Sequence, residues 1–112
     1  MKLMIVDDNK AVRIFLRNLF EHCTDEFIEC SDCINAVKKY TEHLPDYVLM
    51  DVEMEGLDGF AAASRITKKH PGAKIIIVTS YANELFNRIA MESGAMAFVS
   101  KDNLLELEKL II

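Results

Sequence analysis

No apolar run in this chain exceeds about five residues, far short of the roughly 20 that a membrane-spanning helix requires. Met1-Lys2 leads directly into the first of these runs, which is not the layout of a secretory leader. The chain is therefore expected to be soluble and cytoplasmic, with no membrane partner. Basic charge is also scarce: 13 Lys and Arg face 18 Asp and Glu, a net charge of -5, which disfavours direct nucleic-acid binding because such proteins display a basic face. Cysteine is limited to Cys23, Cys30 and Cys33, an odd number that argues against a disulfide framework and fits a reducing compartment. Cys30-Ser31-Asp32-Cys33 has CxxC spacing, but there is no second CxxC or HxxxH to complete a zinc site, so the pair reads as an ordinary strand end and helix start. No loop rich in Ser, Thr and Gly follows the first apolar run, which leaves a flavin phosphate without a cradle.

What is present is enough for one core. With 112 residues, 51% of them hydrophobic, the chain has the size of a single domain. Short apolar runs alternate with segments of helical period, the signature of βαβ units around a parallel sheet. Strands are predicted at residues 2–6, 26–30, 46–50, 74–78 and 96–99, and helices near 10–22, 33–43, 58–69, 83–93 and 103–111. In the first helix Ala11, Ile14, Phe15 and Leu19 form the stripe expected to cover the sheet, with Lys10, Arg13 and Arg17 opposite. Pro45 and Pro71-Gly72 stop helices, while Asp58 and Asn83 can cap them. The fold class is thus α/β, a doubly wound, flavodoxin-like sheet of five parallel strands in the order 2-1-3-4-5. In such sheets ligands bind beyond the carboxyl ends of the strands where the order reverses, here between strands one and three.

Polar residues stand at these ends: Asp7-Asp8 after Leu3-Met4-Ile5-Val6, Asp51 after Tyr47-Val48-Leu49-Met50, Thr79 after Ile75-Ile76-Ile77-Val78, and Lys101 soon after Ala97-Phe98-Val99. Three carboxylates brought close together repel one another and favour a bound proton or cation, and a hard divalent ion relieves that repulsion. An ammonium and a hydroxyl beside them suit a phosphoryl group.

The fragments Ile5-Val6-Asp7-Asp8-Asn9, Pro45-Asp46-Tyr47-Val48-Leu49-Met50-Asp51, Gly56-Leu57-Asp58-Gly59-Phe60, Val78-Thr79-Ser80-Tyr81 and Gly94-Ala95-Met96-Ala97-Phe98-Val99-Ser100-Lys101 occur in an order and spacing that resembles the receiver domain of two-component response regulators, from Met1 to Ile112. The resemblance implies that Asp51 is the phosphoacceptor, that Asp7 and Asp8 help hold Mg2+, that Thr79 and Lys101 contact the phosphoryl group, and that Phe98 is an aromatic switch. Asp8, Asp51, the backbone carbonyl of Glu53 and a phosphoryl oxygen would suit octahedral Mg2+, with Asp7 acting through a water. The implied partners are a histidine kinase or phosphotransfer protein and a downstream effector. Phosphorylation would be reported through the fourth helix, fifth strand and fifth helix. There Leu104, Leu105, Leu107, Leu110, Ile111 and Ile112 exceed one buried stripe and are expected to serve docking or a homodimer.

The chain departs from the family in two places. Most receivers follow the lysine with a cis proline. Here Asp102 follows Lys101, a pair that looks like the receivers preceding LuxR-type output domains, and a trans bond is expected because a cis bond before a non-proline residue costs about 2.5–4 kcal/mol. No output domain is expected within these residues, which form a single receiver unit that is either free-standing or cut from a larger regulator. Glu55 stands where proline is common, so that loop should be less stiff. Glu53 and Tyr81, two residues beyond Asp51 and Thr79, could gate water at an acyl phosphate or simply face solvent. The expected role is signalling rather than enzymatic turnover. Two rivals stay open: a receiver-like binding module that is never phosphorylated, and a small Mg2+-dependent phosphohydrolase working through an aspartyl phosphate at Asp51-Val52-Glu53.

Overall fold

The computed structural model describes residues 1–53, 58–81 and 83–111. Strands β1 (Lys2–Val6), β2 (Glu26–Cys30), β3 (Tyr47–Met50), β4 (Ile75–Thr79) and β5 (Ala97–Ser100) alternate with helices α1 (Lys10–Phe20), α2 (Cys33–His43), α3 (Gly59–Lys69), α4 (Glu84–Glu92) and α5 (Leu107–Leu110). All four pairings are parallel, and the order is β2-β1-β3-β4-β5, as the alternation of runs predicted.

Successive strand residues point to opposite faces, and this splits the core in two. Met4, Val6, Ile28, Val48, Met50, Ile75 and Ile77 meet Ala36 and Tyr40 of α2 and Ala62, Ala63 and Ile66 of α3. On the other face Leu3, Ile5, Leu49, Ile76, Val78 and Val99 meet Leu16 and Phe20 of α1 and Leu107 of α5. Helices cover both faces, so the central strands can be apolar at every position.

Side-chain caps set where the helices begin. Asn9 accepts from Ala11 N and Val12 N, Asp32 from Asn35 N, Asp58 from Ala61 N, and Asn83 from Phe86 N. Each occupies one or two of the amide donors that a helix start leaves unpaired. Replacing Asp58 with Ala should cost about 1 kcal/mol of stability, read from the midpoint of a urea transition. Cys30 ends β2 and Cys33 begins α2, and burial pushes their thiols up to about 11 and about 12, so both are packing residues rather than reactive thiols.

Two expectations need correction. The stripe of α1 that covers the sheet is Leu16 and Phe20 flanked by Val12 and Leu19; Ile14 and Phe15 remain 47% and 46% exposed, and Ala11 faces solvent. The cause is Arg13, whose guanidinium donates to Asp7 O at 2.6 Å and pairs with Glu29 at 3.2 Å, turning that side of the helix toward the ends of β1 and β2. The last helix is also shorter than residues 103–111. A 3-10 turn runs over Lys101–Glu106 with Asn103 at φ -136° and ψ 42°, and only Leu107–Leu110 is α-helical. Ser100 Oγ accepts from Asp102 N and Asn103 Nδ2 donates to Glu106 Oε1, local bonds that compete with a regular helix. The Lys101–Asp102 bond is trans, as expected. The surplus of apolar residues narrows accordingly. Leu107 and Ile111 are buried, Leu104 and Leu110 pack against the core, and Leu105 alone of the described set is well exposed, at 64%. Ile112 and the Glu55 loop lie outside the described residues.

Candidate functional site

The ladder continues past the strand ends and places the polar residues. Asp7 N donates to Cys30 O at 3.1 Å and Asp51 N donates to Val6 O at 2.8 Å, so the residue after β1 is tied to β2 and the residue after β3 is tied to β1. Both residues are buried, each only 2% exposed, and both sit where the strand order reverses. Asp8 is exposed at the rim. One carboxylate oxygen from each of Asp7, Asp8 and Asp51 lies within 4.8 Å of the others.

Lys101 leaves the far edge strand and reaches across the ends of β4 and β3. Its Nζ lies 2.9 Å from Asp7 Oδ2 and 3.4 Å from Asp51 Oδ2. Burial opposes the ammonium, yet the bond to Asp7 and the charges of Asp51 and Asp7 hold its pKa above the usual lysine value. Asp51 is pushed above the ordinary carboxylate range, first by burial and then by the neighbouring Asp7. The Glu53 amide, which donates to Oδ1 at 3.1 Å, and Lys101 oppose that rise without cancelling it. The Asp51 carboxylate thus lies at a site where added positive charge would be welcome.

Three hard oxygen donors suit Mg2+, whose octahedral shell needs ligand oxygens about 3–4 Å apart. The three carboxylate oxygens, within 4.8 Å of one another, lie close to that spacing. The residues therefore fit the ion that the sequence implied.

Thr79 is fully buried at the end of β4, paired with Ser100 on β5. Its hydroxyl donates to Glu53 Oε1 and accepts from Tyr81 N at 3.2 Å. Glu53 Oε1 also accepts from Ser80 N at 2.9 Å. Phe98, opposite Ile77, is half-buried against the core cluster that includes Ala90 of α4. Sequence reasoning missed two features here. One is Arg13 clamping the backbone of Asp7; the other is the Glu53 side chain crossing to β4, a contact between residues 26 apart in sequence. Neither has a local signal, because only the sheet order makes them neighbours.

A family model of the response regulator receiver domain matches residues 3–111. The chain belongs to that family. It is 36% identical to the chemotaxis protein CheY of Listeria monocytogenes over 97% of both chains. It is also 34% identical to the uncharacterized transcriptional regulatory protein YhcZ of Bacillus subtilis, covering 99% of this chain and 52% of that one. Among solved structures, it superposes with a TM-score of 0.87 and 31% identity on a LuxR-family two-component response regulator from Aurantimonas, covering 98% of this chain and 83% of that one. The response regulator domain of CheB from Thermotoga maritima matches with a TM-score of 0.86 and 29% identity over 98% of this chain and 92% of that domain. Receiver domains of two-component systems act between histidine kinases and effectors, and they bind Mg2+ at an acidic pocket. No helix among the described residues of this receiver is long and apolar enough to cross a membrane.

Proposed function

We propose that Asp51 accepts a phosphoryl group from the phosphohistidine of a histidine kinase or phosphotransfer protein, or from a small acyl phosphate. The observation that carries this reading is the meeting of buried Asp51 with Asp7, Asp8 and the Lys101 ammonium at the switch point of the sheet. A carboxylate oxygen of Asp51 attacks phosphorus in line, the P–N bond breaks with its electron pair left on the imidazole nitrogen, and a P–O bond completes the aspartyl phosphate. Lys101 offsets charge on the transferred oxygens, and Arg13 fixes the backbone of Asp7. Mg2+, when held by Asp7, Asp8, Asp51 and the backbone carbonyl of Glu53, supplies further neutralisation of those oxygens.

Thr79 is the residue that would report the event, because its hydroxyl is positioned between the site and the start of the loop into α4. Its movement toward the phosphoryl group would free space for Phe98, altering the α4-β5-α5 surface. Exposed Leu85, Met91, Met96 and Leu105 give that surface apolar contacts for an effector or a second copy of the chain.

Intact-mass measurement after incubation with acetyl phosphate tests the proposal. With Mg2+ the chain should gain one phosphoryl group and no more, and with a chelator the gain should disappear. Absence of any gain would favour a phosphorylation-independent binding module. Continuous release of phosphate from many esters would favour a phosphohydrolase.

A further inference from the structure

Two hydrogen-bond donors at the end of β4 are already taken by a carboxylate of the chain itself. Asp51 and Thr79 leave neighbouring strands, with Met50 opposite Ile77, and Glu53 spans the gap between them. Its amide donates to Asp51 Oδ1 while its Oε1 accepts from the Thr79 hydroxyl and from Ser80 N. A phosphoryl group on Asp51 would present anionic oxygens toward the same hydroxyl and the same amide. The carboxylate and the phosphoryl oxygens cannot both occupy them, since like charges at hydrogen-bond distance repel strongly.

We propose that the Glu53 side chain is a built-in competitor for the phosphoryl group, occupying the Thr79–Ser80 donor pair until phosphorylation displaces it. The inference rests on reading Asp51 as the acceptor. It gives Glu53 a role as a positioning residue distinct from that of its backbone carbonyl. In the free chain the latch holds Thr79 through a charge-assisted bond, and Thr79 in turn accepts from Tyr81 N, so the latch also bears on the chain just beyond β4. Glu53 is half-exposed, so its displaced carboxylate regains water and the latch remains reversible. The phosphoryl group wins because it is covalently held beside the donors and carries more charge. Until then only the unlatched fraction of molecules can place an anion there, and the apparent affinity for a phosphoryl mimic falls by that fraction.

Beryllofluoride with Mg2+, titrated into the full chain, is a suitable probe. Glu53→Ala should bind it about tenfold more tightly than the native chain, as expected if about one molecule in ten is unlatched. The Ser80 amide proton of the free variant should move upfield, because its acceptor is gone. Glu53→Gln keeps the shape and a neutral acceptor, so it should fall between the two and should still perturb the Ser80 signal less than Ala does. Equal or weaker binding by Glu53→Ala would overturn the latch, as would a Gln variant matching Ala, which would assign the effect to charge at a distance. Asp51→Asn serves as the control for the underlying reading. Undiminished beryllofluoride binding by that variant would remove the acceptor assignment itself, a failure separate from that of the latch.

Discussion

Asp51→Asn should abolish phosphorylation completely and, without Mg2+ at neutral pH, yield a more stable protein than the native chain. The first half follows from the chemistry, since a neutral amide offers no carboxylate nucleophile. The second follows from the environment. Burial and the adjacent Asp7 raise the pKa of Asp51 in the folded chain, so between the ordinary carboxylate value and the raised one the folded state binds more protons than the unfolded state. Stability contributed by this group is therefore greatest at low pH and is lost as pH rises through the folded pKa, leaving the full cost of the ionised form at neutrality. Asparagine fills the same space without that cost. The advantage should shrink as pH falls toward the raised Asp51 value. Mg2+ should reverse the order, because an ion at about 100 times its Kd adds about 2.7 kcal/mol to the form that binds it. The variant, lacking one of three carboxylates, should gain less. Thermal melts with and without Mg2+, at neutral and acidic pH, check each part. A variant less stable than the native chain in the absence of Mg2+ would contradict the charge argument.

Much of this arrangement is readable in the chain because each level of its sequence agrees with the next. Runs such as Ile75-Ile76-Ile77-Val78 are too short for helices and too apolar for an exposed strand, and Asp58 and Asn83 mark helix starts without help from distant residues. The polar residues at the strand ends follow from topology, since five parallel strands in a doubly wound sheet must present their carboxyl ends on one edge. What could not be read involves choices between equally patterned alternatives or contacts made by long side chains. Helix α1 carries two apolar stripes, and the Arg13 contacts with Asp7 and Glu29 select the one through Leu16 and Phe20. The terminal helix has an adequate helical period, but Ser100 and Asn103 bind locally and shorten it. Glu53 could have faced solvent as readily as Thr79. Its orientation is settled by the Thr79 hydroxyl and the Ser80 amide at the end of β4.

Gly59→Ala should damage both stability and phosphorylation, although residue 59 carries no chemistry. Gly59 is the first residue of α3, and a Cβ built there would overlap the Asp51 carbonyl oxygen and lie 2.8 Å from Val52 Cα and 2.9 Å from the Asp51 carbonyl carbon. Those atoms are backbone, so no rotamer change relieves the clash. Either α3 withdraws from the sheet or the peptide carrying Asp51 is displaced. The first loosens Ala62, Ala63 and Ile66 from the core, and overpacking of this kind costs about 3 kcal/mol at the upper end. The second moves Asp51 relative to Asp7 and Lys101, where a shift of about 1 Å is enough to slow transfer about a hundredfold. Gly72→Ala is the matched control, because a Cβ there meets nothing within 4 Å. Urea unfolding together with the rate of phosphorylation by acetyl phosphate separates the two effects. A Gly59→Ala protein as stable and as fast as Gly72→Ala would show that α3 does not set the position of Asp51.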